Sequence, residues 1–339
     1  MAEEIISTGD LFDEDTRQGA PDEAPEAETR CHEVPSDMHG WRVDRTLAAL
    51  TPEFSRSYLQ QLMGDGAVQL NGSPAQKASA KVKVGDTIQV ALRPTQQAMA
   101  FVAQPMALDV AYEDDHLMVI VKPAGLVVHP AAGNWSGTLL NGLLAHHSAA
   151  ASLPRAGIVH RLDKDTSGLM LVGKSRQAVE ALVRAIANRD VKREYLAIAH
   201  GAWRGHDPVT VDQPIGRDVR NRLRMAVVSA QGSSGKPAKT TIIPKASAGD
   251  HSLVACQLHT GRTHQIRVHL AWLGHPLLGD ALYGGKPKFG MARQALHAHR
   301  LRLNHPISGA VIGFVSEPPA DFSAAAEEAG LHYNPNDTE

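Results

Sequence analysis

The stretch Gly157-Ile158-Val159-His160-Arg161-Leu162-Asp163-Lys164-Asp165-Thr166-Ser167-Gly168 runs directly into Leu169-Met170-Leu171-Val172. It puts one carboxylate, Asp163, between the cations Arg161 and Lys164 in a polar loop, and the loop feeds an apolar run of the kind that forms a buried strand. A loop held by a rigid element is a common mounting for a reactive group. An isolated Arg-x-Asp is more often a surface ion pair of small energetic worth. Asp165, two residues on, is a rival carboxylate that spacing alone does not dismiss.

Working outward, Ser175 is placed to cap a helix reaching about Asn188, with Val179, Leu182, Val183 and Ile186 on one face. Residues 193–198, Arg-Glu-Tyr-Leu-Ala-Ile, read as a strand. Upstream, 110–112 and 117–121 read as strands on either side of Glu113-Asp114-Asp115-His116; Lys122-Pro123-Ala124-Gly125 ends the second, and 138–145 has helical spacing. Arg217, Arg220, Arg222 and Arg224 crowd eight residues, which suits either a phosphate backbone or a charged hairpin tip. Farther on, Leu258-His259-Thr260-Gly261-Arg262-Thr263-His264-Gln265-Ile266-Arg267-Val268-His269-Leu270 opens a helix with Ile266, Leu270 and Leu273 facing inward. It leads to Gly274-His275-Pro276-Leu277-Leu278-Gly279-Asp280-Ala281-Leu282-Tyr283-Gly284.

The N-terminal part divides differently. Residues 1–37 are rich in Glu, Asp, Ala and Pro and poor in large apolar side chains, so disorder is expected there. Residues 38–93 form a compact unit: Leu47, Leu50, Tyr58, Leu59, Leu62 and Met63 recur at helical spacing, Ser55 is an N-cap, and Gly64 or Gly66 is the stop. Ala67-Val68-Gln69-Leu70 then alternates into Asn71-Gly72, a strong hairpin signal. A Gln- and Ala-rich linker, 94–107, precedes a larger domain over 108–316, and 317–339 is an acidic C-terminal segment.

Composition narrows the function classes. The 339 residues, 43% hydrophobic and 21% charged, are enough for two domains with substantial cores. No apolar run approaches the roughly 18–20 residues of a membrane helix, and the acidic N-terminal stretch is unlike a secretory signal, so a cytoplasmic, membrane-free protein is expected. Cys31 and Cys256 are too few for a disulfide framework or zinc cluster. Among the histidines, His264 and His269 are five apart rather than four, and His297-Ala298-His299 lacks a nearby carboxylate, so no metal is expected. The net charge of -2 conceals a segregation: residues 1–30 carry -8, 317–339 carry -6, and 31–316 carry +12. A basic core of that size favours a polyanionic partner.

The motifs carry a resemblance. The loop His160-Arg161-Leu162-Asp163 with Thr166-Ser167-Gly168 resembles the signature of the RluA/RluD family of pseudouridine synthases, with Asp163 at the catalytic position. Val121-Lys122-Pro123-Ala124-Gly125-Leu126-Val127-Val128-His129-Pro130 resembles the first family motif in its RluD version. Thr260-Gly261-Arg262-Thr263-His264-Gln265-Ile266-Arg267-Val268-His269 resembles the third. Residues 40–93, with Val43-Asp44-Arg45 opening one helix and Arg56 in the next, look like the α-L (S-four-like) RNA-binding domain; there Arg42, Arg45, Arg56, Lys77, Lys81 and Lys83 would offer phosphate contacts. The resemblance spans about 40–316. It implies an α+β fold: a mixed, mainly antiparallel sheet core with flanking helices, preceded by a small α/β RNA-binding domain.

The implied activity is isomerisation of uridine to pseudouridine in 23S (large-subunit) ribosomal RNA, without a cofactor, by a monomer. That reaction breaks the N1–C1′ bond, turns the freed uracil and joins C5 to C1′, which calls for a carboxylate beside C1′ and a group to move a proton. By resemblance, Asp163 is the nucleophile or charge-stabilising carboxylate, and both attack on C1′ and a glycal route through C2′ remain open to it. Tyr195 lies against the base and can handle the proton, and Arg267 pairs with the carboxylate. Arg161 fills the gap left by the flipped nucleotide. His160, Thr166, Arg262 and His264 support the loops and the RNA. Two other readings are a synthase for transfer RNA or another ribosomal site, and a non-catalytic RNA-binding assembly factor.

Overall fold

The computed structural model describes residues 28–75, 77–92, 98–131, 133–221, 223–228 and 235–333. The chain divides into two compact units, 1–95 and 96–339.

In the first unit, strand β1 (Glu28–Glu33), helices α1 (Val43–Leu50) and α2 (Arg56–Gly64), and strands β2 (Val68–Leu70), β3 (Ser73–Pro74) and β4 (Thr87–Leu92) make a sheet of order β1-β4-β2-β3, antiparallel throughout. Ser55 caps α2 by accepting from the Tyr58 amide. Asn71 and Gly72 turn the β2–β3 hairpin with φ of 51° and 77°, the left-handed values this two-residue turn needs. Val43, Leu47, Leu59, Val68, Ile88 and Val90 are its core. β1 corrects the expectation of disorder over 1–37: Glu28–Glu33 pairs along its whole length with β4, while 1–27 lie outside the described residues. An edge strand needs only one paired neighbour and a half-buried face, so its sequence can be as polar as this one.

In the second unit, strands β5 (Val110–Glu113) and β6 (Leu117–Lys122) precede helix α3 (Leu139–His146), which Thr138 and Asn141 close with a capping box. Then come β7 (Ser167–Gly173), α4 (Arg176–Asn188), β8 (Lys192–His200), β9 (Val209–Asp212), the hairpin β10 (Ile215–Arg217) and β11 (Met225–Val227), β12 (Lys239–Ala248), β13 (His251–Leu258), α5 (Gln265–Trp272), β14 (Leu296–Asn304), β15 (Val311–Val315) and α6 (Ala320–Glu328). The main sheet runs β5-β6-β7-β14-β8-β13-β12-β9, with β15 paired to β14; only β14 against β7 is parallel. This is the mixed, mainly antiparallel core that the resemblance implies.

Alternation along the strands gives the sheet two apolar faces. Met170, Val172, Tyr195, Ala197, Val254 and Cys256 face α3 and α5, through Leu139, Leu143, Ile266 and Leu270. Leu169 and Leu171 face α4 through Leu182, and Leu196, Ile198 and Leu253 face α6 through Phe322 and Ala325. β7, buried at every position, is sandwiched between helices and is the rigid floor below the 157–166 loop.

Two boundaries shift. The acidic segment after 316 is partly structural: α6 buries Phe322 and Ala325, Leu331 follows them inward, and Asp321 pairs with Arg293 at 2.7 Å. The second half of the expected linker is laid on α3, where the Asn141 side chain donates to the Val102 carbonyl at 2.8 Å and the Gln104 amide donates to the Asn141 carbonyl at 3.0 Å. Residues 93–97 lie outside the described residues.

Candidate active site

The 157–166 loop is fixed from several sides before any substrate arrives. Fully buried Lys122 donates from Nζ to the carbonyls of Pro123 at 2.7 Å, Leu126 at 3.0 Å and Lys164 at 2.8 Å, tying the turn after β6 to the loop. Burial lowers its ammonium to about 8, against the opposing pull of Asp165 and Asp163. His160 accepts the Leu171 amide on Nε2 at 2.9 Å, which plugs the loop into β7; burial, with the Arg193 charge adding to it, pushes the imidazole down to about 3, so the ring is neutral. Arg293 donates to the Asp165 carbonyl at 2.9 Å. Thr166, also buried, donates its amide to the Asp163 carbonyl at 3.1 Å and accepts from Gln294 on its hydroxyl at 3.3 Å.

Asp163 emerges from this frame into a cleft of about 370 Å³. Arg161, Arg189, Arg193, Arg262 and Arg267 line the same cleft, along with Tyr195, His259 and His264, and Asp163 is the one carboxylate among its lining residues. Asp165 is not in that lining; its backbone is held by Arg293, which separates the two candidates by position. Arg267, on α5, donates from Nη1 to Asp163 Oδ2 at 3.0 Å and, from Nε and Nη2, grips both oxygens of Asp280 at 2.7 and 2.9 Å. The two carboxylates hold the guanidinium well above its ordinary value against its own burial. Its flat side is covered by Tyr283, with Cζ 5.0 Å from the ring centre.

Tyr195, on β8, is buried at the cleft wall, and burial pushes its phenol up; the Arg193 charge opposes the push and the Asp163 charge adds to it. His264 starts α5 with φ 56°. Its Nδ1 lies 2.8 Å from the Tyr283 hydroxyl, which accepts from the Met225 amide, so the phenol hydrogen is free to go to His264, leaving Nε2–H directed toward Asp163 Oδ2 at 3.9 Å. Burial depresses this imidazole, and Asp163 pulls it back. Arg161 is exposed at the cleft, and Arg262 donates from Nε to the Pro237 carbonyl at 3.0 Å.

The expected residues of the larger domain, Asp163, Tyr195, Arg267, Arg161, His160, Thr166, Arg262 and His264, therefore share one neighbourhood. Those of the first unit behave differently. Arg56 is tied to buried Asp44 at 2.7 Å together with Arg42 and Gln60, and the Arg42 hydrogen bond foremost holds that carboxyl well below its usual range. Arg45 instead lies over the Trp41 ring at 3.9 Å. Of the arginine cluster, Arg224 pairs with Asp218 at the tip of the β10–β11 hairpin, and Arg222 lies outside the described residues. Sequence reasoning did not single out Asp280, Tyr283, Lys122 or Arg193, although the first three sit inside motifs that it quotes.

Among the described residues there is no group of three or more His, Cys, Asp or Glu side chains able to hold a metal ion. Cys31 is exposed on β1, and Cys256 is buried on β13, where burial raises its thiol. Chemically, the cleft offers an oriented carboxylate with a permanent cation behind it, a phenol facing the same space, and a ring of positive charge suited to a polyanion.

Comparison with known proteins agrees with this chemistry. Residues 116–272 match the RNA pseudouridylate synthase family, and residues 41–88 match the S4 domain. A ribosomal large subunit pseudouridine synthase D of Neisseria meningitidis is 48% identical over 313 residues, 88% of this chain and 82% of its own. An uncharacterized RNA pseudouridine synthase of Bacillus subtilis is 44% identical over 289 residues, 84% of this chain and 93% of its own. The solved structure of human RNA pseudouridylate synthase domain containing 1 is similar with a TM-score of 0.52 at 27% identity, over 66% of this chain and 90% of that one. With its motifs gathered in one cleft and its relatives matched over most of their length, the chain belongs to the RNA pseudouridylate synthase family, with an S4 domain ahead of the synthase domain.

Proposed function

We propose that the protein isomerises uridine to pseudouridine in 23S, large-subunit ribosomal RNA, acting as a monomer in the cytoplasm. The observation that carries the reading is the meeting of Asp163, Arg267 and Tyr195 in a single arginine-lined cleft. The names of the relatives, ribosomal large subunit pseudouridine synthase D, support ribosomal RNA as the substrate. Among the described residues no helix is long and apolar enough to cross a membrane.

In this reading a uridine leaves the stack, since C1′ and N1 are out of reach within it, and Arg161 takes up the vacated space. Asp163 acts on the sugar as the N1–C1′ bond breaks; Arg267, hydrogen-bonded to it, keeps it aimed once RNA excludes water. The uracil turns, C5 bonds to C1′, the hydrogen on C5 leaves and N1 gains one, so atoms balance with no donor or oxidant. Tyr195 packs against the base. Because burial keeps the phenol protonated, it can take the C5 proton only as it hands on its own hydrogen.

The test is carbodiimide-dependent pseudouridine mapping of total RNA from cells lacking the protein, complemented with wild type or with Asp163→Asn. The reading expects a small set of large-subunit uridines to lose signal and only wild type to restore it. Unchanged signals throughout, or restoration by Asp163→Asn, would refute it.

A further inference from the structure

Arg193 is a buried cation of the cleft that the reaction described above leaves without a role. It lies on β8 two residues before Tyr195, so the two side chains project from the same face about 7 Å apart along the strand. The residue is 7% exposed, its Nε is inaccessible and has no hydrogen-bond partner, and among the described residues no carboxylate pairs with it. Neighbouring arginines are treated otherwise: Arg267 has Asp163 and Asp280, and Arg293 has Asp321. Leaving a guanidinium buried without an anion is costly, and folded proteins ordinarily avoid it.

The opposite wall makes room for this group. A Cβ placed on Gly261 would come 3.2 Å from Arg193 Nη1, tighter than most real contacts, and 3.8 Å from Nη2, an ordinary contact, and the Gly261 backbone is not in the left-handed region. A larger residue there would press on the end of the guanidinium, which would have to give by a few tenths of an ångström. Both residues line the cleft that contains Asp163, the volume a substrate enters.

Given the function proposed above, we infer that Arg193 binds a backbone phosphate next to the extruded uridine, so that RNA completes an ion pair that the free protein leaves open. Uracil is neutral and its carbonyls cannot cancel the charge; a phosphodiester carries a full negative charge and two oxygens matched to the guanidinium fork. With the base against Tyr195, its sugar-phosphate falls on the strand-spacing scale that separates Tyr195 from Arg193.

The experiment uses the full-length protein, with Arg193→Met and Arg193→Lys, on a ribosomal RNA fragment containing a mapped target uridine. In matched fragments the phosphate 5′ or 3′ to that uridine is replaced by an uncharged methylphosphonate. The RNA-free Arg193→Met protein is expected to melt at or above the wild-type temperature, because an unpaired buried charge is gone, while its single-turnover rate, with enzyme in excess over RNA but subsaturating, falls about tenfold or more, the scale of a lost charge-assisted contact. One methylphosphonate should slow wild type and Arg193→Lys but leave Arg193→Met unaffected. Equal methylphosphonate penalties in wild type and Arg193→Met would overturn the inference while leaving the synthase reading intact. A lower melting temperature for RNA-free Arg193→Met with its single-turnover rate unchanged would assign the residue a structural role and overturn it too. Absence of conversion by wild type would refute the proposed function, and this inference with it.

Discussion

Two aspartates share the guanidinium of Arg267, and their surroundings divide the labour between them. Asp280 is almost wholly enclosed and takes two hydrogen bonds, whereas Asp163 takes one on Oδ2 and is partly open to the cleft. Asp163→Asn keeps the shape and the contact but removes the charge; we expect turnover to fall by about 10³-fold or more, with RNA affinity and melting temperature close to wild type, checked by single-turnover assay, filter binding and calorimetry. Asp280→Asn leaves a buried guanidinium short of one anion. The expected cost is about 3 kcal/mol in urea unfolding, together with a lower rate constant as Arg267 loosens its hold on Asp163. If Asp280→Asn were as stable and as fast as wild type, Asp280 would have no part in orienting Arg267. At Tyr195, replacement by Phe keeps the ring and deletes the hydroxyl, so binding should persist while the rate constant drops; equal loss of both would point to packing alone.

Among the elements, β7 decides where the site stands. It pairs antiparallel with β6 and parallel with β14 through Ser167 and Gly168, and the signature loop leaves from its first residue. Gly168 has φ 109°, and a Cβ there would meet the Ala298 carbonyl oxygen at 2.3 Å. Neither the backbone angle nor the clash can be relieved without parting β7 from β14. Gly168→Ala is therefore expected to destabilise the larger unit by more than about 3 kcal/mol, seen as a lower urea midpoint or loss of soluble protein. A midpoint within about 0.5 kcal/mol of wild type would show that the β7–β14 junction tolerates displacement. In the first unit the organising group is Asp44, which gathers Arg42, Arg56 and Gln60 from two helices, so two of the arginines expected to touch phosphate also hold the unit together.

For the molecule as a whole, buried histidines set the response to acid. His160 is held down to about 3 and His297 to about 4, each by burial first; His297 accepts from Ser167 and donates to the Ser316 carbonyl, which only a neutral ring can do at once. Both folded values lie below the unfolded value of about 6.5, so the unfolded chain binds more protons between about pH 6.5 and pH 4. Stability is then complete above 6.5 and declines as the pH falls through that window. Urea titrations at pH 7, 6, 5 and 4 should show the decline, and His297→Gln should flatten it; a flat profile in the wild type would mean that these rings are not held neutral. The decline needs no change in the cleft itself, so rate and stability should part company in mild acid.

The sequence by itself determined the elements and the identity of the chemistry. Continuous apolar runs specified β6 and β7, Ser55 and Ser175 specified helix starts, Asn71-Gly72 specified a hairpin, and the order of motifs around Asp163 and Arg267 specified the family, because all of these are local patterns that physics reads within a few residues. Less was legible where local signals were weak: β1 is polar because it is an edge strand, and α6 lies within the acidic C-terminal segment but is anchored by Phe322 and Ala325. Only the tertiary structure decided partnership. Asp163 meets Arg267 across 104 residues, Asp280 closes behind them, Arg56 turns to Asp44, and Arg193 is left without an anion. A charge in a sequence has no partner until packing brings one within about 4 Å, and which partner arrives depends on how strands far apart in the chain come to lie side by side.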